Sequence, residues 1–357
     1  MKSIITILKP DTAGNRESDE MCELFVMYYS DQDVNSFILC NDEEADGDGA
    51  YISYHSRCDE SAILAEGVTM DTRTENKHLK LGMPGAKPTK EDDYLCSAFS
   101  LKSMARGTDN TKVYLTGFDV KANSSMVGHV ALIRCNRACS KEGVYNCQDS
   151  AQICGSNYRQ QALIYDWGKD AGPTTLPADV GFEVDIIEDT IVMQVHYKVP
   201  LDFKDLTSAI IKYTDEKPKY RAGMLMLQRS TLEIPPGVKY ITAEMNCKVC
   251  SFVLYFLQSS INDLIRCRVK LLQMRDEMTM FAFMTHTHGL GTDISGHMLH
   301  QGQLPEFEFA RGDPQKPQTF QQMADFQVVK NGDILGARCT FDGTEIDKPV
   351  SIGNYDK

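Results

Sequence analysis

The stretch MTMFAFMTHTHGLG, residues 278–291, joins a strand-like segment to a pair of histidines. Aromatic and β-branched residues recur through it and two glycines close it, which predicts a β-strand that runs into a turn. His286 and His288 lie two residues apart, so on a strand both imidazoles point to the same face. Together they can bind one metal ion, but a catalytic metal generally has a third protein ligand. The stretch therefore predicts part of a metal site.

Similar strand-like segments recur along the chain and are separated by turn sequences such as PPG (235–237) and NGD (331–333). The clearest are KVYLTGFDV (112–120), HVALIRC (129–135), TIVMQVHYKV (190–199), SAIIKYT (208–214) and KYITAEM (239–245). Many short strands with few helical periods predict an all-β fold of antiparallel, jelly-roll-like β-sandwich domains.

The composition excludes several functional classes. A chain of 357 residues with a formal net charge of −13 is long enough for two domains and is an improbable partner for nucleic acid or an anionic membrane. The chain contains no run of about 18 apolar residues, so no membrane span is predicted. The first twenty residues lack the apolar core and cleavage site of a signal peptide. We take that as the mark of a truncated or rearranged chain.

Twelve cysteines are scattered along the chain. Cys247 and Cys250 form one CxxC pair without a second, so a structural zinc site is disfavoured. An even number of dispersed cysteines favours disulfides in an oxidising compartment, and the alternative is a cytosolic protein with buried thiols. The sequon at Asn123 adds weak support for secretion.

A methionine is a suitable third ligand, because a thioether favours Cu(I) beside imidazoles. Seventeen methionines are present and most are expected to fill cores, so composition selects none of them. Three segments of the C-terminal half are more informative. They are FAFMTHTHGLGTDISG (281–296), GDPQKPQTF (312–320) and NGDILGARCTF (331–341).

These segments resemble the second domain of the copper type II, ascorbate-dependent monooxygenases, and among them the peptidylglycine hydroxylases. Further matches in family order are MPGAKPTKEDDYLCSAF (83–99), GHVALIRC (128–135), LIYDWGKDAGPTTLPADVGF (163–182), VMQVHY (192–197), RAGMLML (221–227) and IPPGVKYITAEMNC (234–247). The resemblance therefore covers most of the chain.

The resemblance implies that the third ligand is Met21, in SDEMCELFVMYY (18–29). In the family this strand follows the two histidines, whereas here it precedes them, so the chain resembles a circular permutant. The alternative is a window cut from a tandem array, in which Met21 serves the preceding module. We expect a first domain at 76–219 and a second at 220–357 plus 1–40. A linker at 41–75 and an insertion at 250–273 complete this division.

A second copper site, which stores an electron, is implied in the first domain. The family has three histidines there, and this chain matches two of them, His129 and His196. Gly128 stands in place of the third, so we expect a weakened site. Met126, His55 and His78 remain open as substitute donors.

The family's disulfides carry over as four pairs. They are Cys96 with Cys147, Cys135 with Cys154, Cys40 with Cys247, and Cys22 with Cys339. Cys58, Cys139, Cys250 and Cys267 have no family partner, and the last two are candidates to pair with each other.

Three residues at the implied substrate site depart from the peptide hydroxylases. Met284 replaces the arginine that binds the peptide carboxylate, and Glu23 and Phe25 replace an asparagine and a tyrosine. A thioether and a carboxylate are poor partners for a carboxylate substrate. We expect a small-molecule or peptide-derived substrate that is neutral or carries an amine.

The implied activity is hydroxylation of an aliphatic C–H bond with O2 and ascorbate, at copper held by His286, His288 and Met21. The expected location is outside the cell or in the lumen of the secretory pathway. One alternative is a secreted copper-binding relative with impaired catalysis. Another is a disulfide-rich adhesion module without metal.

Overall fold

The structure, a computed structural model, describes thirteen segments of the chain. They are residues 19–31, 37–41, 69–71, 77–105, 110–136, 138–139, 143–148, 153–154, 162–229, 232–251, 269–271, 277–301 and 305–352. Regular structure in these segments is β-strand apart from one short 3-10 turn, Lys102–Ala105. The all-β prediction is confirmed. Within the same segments, no helix is long and apolar enough to cross a membrane.

The strands are numbered in chain order. They are β1 Asp19–Glu20, β2 Glu23–Ser30, β3 Phe37–Asn41, β4 Thr69–Asp71, β5 Lys77–Gly82, β6 Asp93–Ser100, β7 Lys112–Lys121, β8 Val127–Cys135, β9 Tyr145–Asn146, β10 Ala162–Gly168, β11 Thr174–Thr175, β12 Val180–Asp185, β13 Thr190–Tyr197, β14 Ser208–Thr214, β15 Tyr220–Gln228, β16 Leu232–Ile234, β17 Lys239–Ser251, β18 Val269–Leu271, β19 Glu277–His286, β20 Gly291–Leu299, β21 Phe307–Gly312, β22 Gln321–Lys330, β23 Ile334–Asp342 and β24 Val350–Ile352.

The described residues fall into two compact units. Unit 1 holds those within Asp48–Lys219, and unit 2 holds those within Gly14–Gly47 and Tyr220–Lys357. Strand β4 lies inside the segment expected to be a linker and pairs with β5. Strand β18 lies inside the expected insertion and pairs in parallel with β17. Residues 252–268, the larger part of that insertion, lie outside the described residues.

Unit 1 contains two groups of antiparallel strands. One runs in the order β10-β8-β13-β6-β9, and the other in the order β12-β7-β14-β5-β4. Consecutive residues of β8 and β13 are buried, so these central strands are covered on both faces. Two disulfides brace the first group, Cys96–Cys147 and Cys135–Cys154. Cys139, which the resemblance left without a partner, is also disulfide-bonded.

Unit 2 is built around β2, which lies between β19 and β15 in a sheet of order β22-β19-β2-β15. A second sheet runs β18-β17-β23-β20-β21. Leu24, Val26 and Tyr28 of β2 belong to the apolar core of this unit. The alternate residues, including Glu23 and Phe25, point to the opposite face of the sheet and are buried as well.

Strand pairing and a disulfide join the N-terminal strands to the C-terminal half of unit 2. Strand β1 pairs in parallel with β24, and Cys22 is bonded to Cys339 of β23 across a sequence separation of 317 residues. Cys247 is disulfide-bonded too, but the side chain of Cys40, its expected partner, lies outside the described residues. A bridge that closes so long a loop stabilises a fold by about 5 kcal/mol in the chain-entropy model.

Candidate metal centres

Strand pairing brings the Met21 segment to the two histidines of unit 2. Strands β2 and β19 are antiparallel, with Glu23 opposite His286 and Leu24 opposite Thr285. Met21 lies two residues before β2 and His288 two residues after β19, so both flank the paired ends of these strands. The three expected ligands therefore come from the adjacent ends of two neighbouring strands.

One carboxylate ties these two chain ends together. Oε1 of Glu20 accepts hydrogen bonds from the backbone N–H of Met21, at 3.2 Å, and from that of His288. Oε2 accepts a third from the N–H of Leu290 at 2.8 Å. Glu20 is only 1% exposed. Because one oxygen bridges both backbones, the methionine and the second histidine are held side by side.

Burial is the main influence on this carboxyl group. It raises the pKa of Glu20 above the usual range, whereas His288 and the three backbone donors lower it. A carboxylate with three N–H donors is a strong acceptor, since charge-assisted hydrogen bonds are roughly twice as strong as neutral ones.

His288 differs from its strand prediction. Strand β19 ends at His286, and residues 287 and 288 have left it. The Glu20 carboxylate takes the N–H of His288, and the Gln315 amide donates to the carbonyls of His288, at 2.6 Å, and of Gly291, at 2.7 Å. These side chains stand in for strand partners. The two imidazoles lie 5.5 Å apart between ring centroids at an interplanar angle of 86°.

The tautomer of His286 is fixed by Gln318. The amide nitrogen of Gln318 donates to the carbonyls of Thr287, at 3.2 Å, and of Pro314, at 3.1 Å. Its oxygen must therefore be the acceptor in the 2.8 Å contact with His286 Nδ1. That nitrogen carries the proton, so the lone pair of His286 is on Nε2. Partners of this kind orient metal-binding histidines and raise their basicity.

The donor set of unit 2 fits copper. Within the described residues, no three His, Cys, Asp or Glu side chains gather in a metal-binding arrangement. Met21 is 9% exposed, and its backbone shares the Glu20 carboxylate with the backbone of His288. Two imidazoles with one thioether suit a metal that passes between Cu(II) and Cu(I).

The three expected substrate residues lie on the same face of the sheet as His286. Met284 is opposite Phe25, and both are buried. Glu23, opposite His286, accepts a hydrogen bond from the Gln228 amide at 2.9 Å. Gln228 Oε1 has no hydrogen-bond partner among the described atoms, although the residue is only 2% exposed.

Unit 1 holds its two histidines opposite one another, His196 on β13 and His129 on β8. Each ring meets a carboxylate through Nε2. The distance from His129 to Asp166 Oδ1 is 2.5 Å, and that from His196 to Asp92 Oδ1 is 3.0 Å. The Asp92 contact is a hydrogen bond, which leaves Nδ1 of His196 as the ring nitrogen available to a metal. Tyr94 stacks on His196 at 4.3 Å between centroids.

Of the substitute donors considered for this pair, His78 is placed elsewhere in unit 1. His78 lies on β5, in the other group of strands of unit 1, opposite Lys212. His55 lies outside the described residues. Met126 precedes β8, and its carbonyl accepts from the backbone N–H of Lys198 at 2.8 Å.

Two family models match the chain. The N-terminal domain of the copper type II ascorbate-dependent monooxygenases matches residues 79–204, and the C-terminal domain matches residues 220–357. The chain belongs to this family. Its members are dependent on copper and ascorbate, which agrees with the donor set of unit 2.

Curated relatives point the same way. The chain is similar to peptidyl-glycine alpha-amidating monooxygenase B of Xenopus laevis, 29% identical over 271 residues, or 74% of this chain and 27% of that protein. It is 28% identical to peptidylglycine alpha-amidating monooxygenase of Rattus norvegicus over 281 residues, 77% of this chain and 25% of that protein. The chain thus spans about a quarter of the length of these relatives.

A similarity to a solved virus structure adds nothing to this assignment. The capsid structure of Broad Bean Stain Virus covers 87% of this chain and 98% of that chain at 10% identity, but its TM-score is 0.27. A similarity so low supports no argument about fold or function.

Sequence reasoning overlooked the residues that organise these centres. Glu20, Gln315 and Gln318 all stand within segments that carry the resemblance, yet no role was expected for them. Glu20 precedes the expected ligand Met21, and the two glutamines flank the proline of QKPQ. Position beside a ligand is the signal that was available for Glu20.

Proposed function

We propose that the chain is a copper monooxygenase that hydroxylates an aliphatic C–H bond with O2 and ascorbate. Met21, His286 and His288 would hold the copper that meets O2. The observation that carries the proposal is the Glu20 carboxylate, which bridges the backbone of Met21 to that of His288. Bound copper supplies O2 activation and one-electron chemistry.

The residues around this copper have distinct roles. Gln318 keeps the proton on Nδ1 of His286, which directs Nε2 to the metal. Glu20 and Gln315 hold His288 outside the strand. Three protein ligands leave a coordination position for O2.

The segment order is proposed to be a circular permutation relative to the family, with Met21 serving the histidines of its own chain. In support, β2 pairs with both β19 and β15 of unit 2, and Cys22 is bonded to Cys339 within the same chain. A window from a tandem array, in which Met21 served another module, would need these same contacts to form between modules.

The proposed substrate bears an amine rather than a carboxylate. Near His286 the acceptors are the Glu23 carboxylate and Gln228 Oε1, which is buried without a described partner. An ammonium group has only donors and would donate to Gln228 Oε1 beside the negatively charged Glu23. Met284, which is fully buried on the same face, offers no donor to a carboxylate.

His129 and His196 are proposed to hold a second, more weakly bound copper that passes an electron on, with ascorbate as the source of electrons. Asp92 orients His196 through a hydrogen bond, and the Asp166 carboxylate lies close to His129. The disulfides support a secreted or luminal protein, because such bonds persist in oxidising compartments.

A second candidate is a secreted copper-binding relative without hydroxylase activity. Gly128 favours it, because the two-histidine pair then has one ligand fewer for electron storage. Copper stoichiometry, measured together with ascorbate-dependent O2 uptake, separates the candidates. Uptake coupled to substrate supports the enzyme, and one copper without coupled uptake supports the relative.

The substrate proposal is tested by comparing turnover of a phenethylamine with turnover of a glycine-extended peptide. Glu23→Gln should raise the KM for the amine roughly 10- to 100-fold, the effect of losing a charged hydrogen bond. Glu233→Gln, an exposed carboxylate of the same unit, is the matched control. Preferred turnover of the peptide would contradict the amine assignment.

A further inference from the structure

The glycine next to His129 faces the nitrogen of His196 that a metal would use. A Cβ at position 128 would lie 2.9 Å from His196 Nδ1. Asp92 contacts Nε2, on the other side of that ring. A side chain at 128 would therefore point at the metal-binding side of the His196 ring. The structure thus gives a physical basis for treating position 128 as the place of a third ligand.

The side chain of Lys198, called here the lysine arm, passes over Gly128. Lys198 Cε would lie 3.2 Å from a Cβ at position 128. The arm is anchored at both ends: its backbone N–H donates to the carbonyl of Met126 at 2.8 Å, and its ammonium donates to the carbonyl of Ser124 at 2.7 Å. Both anchors belong to the turn that leads into β8, so the arm lies along Gly128.

The glycine and the lysine are sterically linked. Any larger residue at 128 would press on both the Lys198 arm and the His196 ring, whereas glycine leaves room for them. The arm brings a positive charge to a site that would otherwise attract a cation through Asp92 and Asp166. Like charges repel strongly where water is partly excluded.

We propose that Lys198 occupies the third-ligand place of the unit 1 centre and limits it to a weak two-histidine site. This inference rests on the proposed function in that it takes His129 and His196 as a copper pair. It adds the residue that sets their affinity. Two imidazoles alone suit Cu(I) better than Cu(II), so the oxidised metal is the form most disfavoured.

The test compares Gly128→His, Lys198→Met and the double variant. Methionine has a similar length to lysine but no charge. Because its thioether could itself bind Cu(I), Lys198→Leu, which brings neither a charge nor a ligand, is measured beside it and should tighten the second copper to the same extent. Lys212→Met is the matched control, because Lys212 also lies against a strand glycine of unit 1, with its Cδ 3.2 Å from a Cβ built at Gly117. Cu(I) affinity is measured anaerobically against a competing chelator, and the oxidised samples are examined by electron paramagnetic resonance.

The unmodified protein should bind one copper tightly and a second weakly. Lys198→Met should tighten the second about tenfold, the lower end of what changes around metal ligands produce. The double variant should retain two coppers per chain and gain a second Cu(II) signal, which His129→Ala then removes. Gly128→His alone should gain less than the double variant.

Two results would overturn the inference. One is a second copper bound no more tightly by Lys198→Met than by Lys212→Met. The other is Gly128→His alone matching the double variant. Thermal unfolding of each variant shows whether it is folded, and the single Lys198→Met change keeps the test valid if the double variant is not.

Refutation of the proposed copper site in unit 2 would give a different result from refutation of the Lys198 inference. The tightly bound copper is recognised by sulfur scattering in its X-ray absorption spectrum, and Met21→Leu should remove that feature. If the tight copper is absent, the unit 2 site is refuted. The comparison of Lys198→Met with Lys212→Met still decides the unit 1 inference.

Discussion

Removing the Glu20 carboxylate is expected to separate Met21 from His288 and to weaken copper binding in unit 2. In Glu20→Ala the backbone N–H groups of Met21, His288 and Leu290 lose their acceptor in a buried place. Each unsatisfied buried donor costs about 1–3 kcal/mol, so the free energy of unfolding should fall by roughly 3–6 kcal/mol after partial relaxation.

Glu20→Gln should be milder. An amide keeps one acceptor oxygen, which can still serve Met21 and His288, but it places an NH2 group against the N–H of Leu290. We expect a loss of about 1–3 kcal/mol. The control is Glu233→Ala, an exposed carboxylate on β16, which belongs to the same small sheet as β1.

Two assays follow these variants. Urea unfolding gives the stability change, and chelator competition gives the Cu(I) affinity, which should drop 10- to 100-fold in Glu20→Ala, the range seen when the partners of metal ligands are removed. If Glu20→Ala unfolds at the same urea concentration as Glu233→Ala and keeps its Cu(I) affinity, the bridge does not organise the site.

Three further predictions concern other parts of the structure. Gln318→Leu should lower Cu(I) affinity roughly 10-fold by releasing the His286 tautomer, and His286 ring nitrogen shifts in NMR should change with it; unchanged shifts would contradict the assignment. Cys22→Ser with Cys339→Ser should reduce the free energy of unfolding by about 4–5 kcal/mol, measured by urea unfolding under non-reducing conditions, and a change below about 1 kcal/mol would show that the bridge carries little of unit 2's stability. Burial raises the pKa of Tyr165 to about 12, so its contribution to the free energy of unfolding is complete below pH 10 and should be lost as the pH rises towards 12. In Tyr165→Phe the free energy of unfolding should therefore fall by roughly 2–3 kcal/mol less over this pH range. An unchanged pH dependence would contradict the burial effect.

Individual strands could be predicted from the sequence, because strand formation depends on the pattern of neighbouring residues. The β-branched and aromatic residues of TIVMQVHY predicted β13, and the similar run before His286 predicted β19. The first strand of unit 2 and its methionine came from the resemblance, since no rule of spacing connects Met21 with a histidine more than 260 residues away.

Side-chain contacts between distant segments could not be predicted from the sequence. Glu20 meets His288, and Gln318 meets His286, only because strand register and turn geometry bring their backbones together. The extent of β19 was overestimated for the same reason: side-chain acceptors and donors, rather than a partner strand, hold the last histidine. Nothing in the sequence connects Lys198 with Gly128, because their contact arises from the pairing of the end of β13 with the start of β8.

Met21 is proposed to complete a copper site with His286 and His288. Copper X-ray absorption of the Cu(I)-loaded protein, compared with that of Met21→Leu, shows whether a thioether binds the metal. A sulfur scatterer should be present in the unmodified protein and disappear in Met21→Leu, while scattering from imidazole nitrogen remains. Sulfur scattering that survives the substitution, or is absent from the outset, would contradict it.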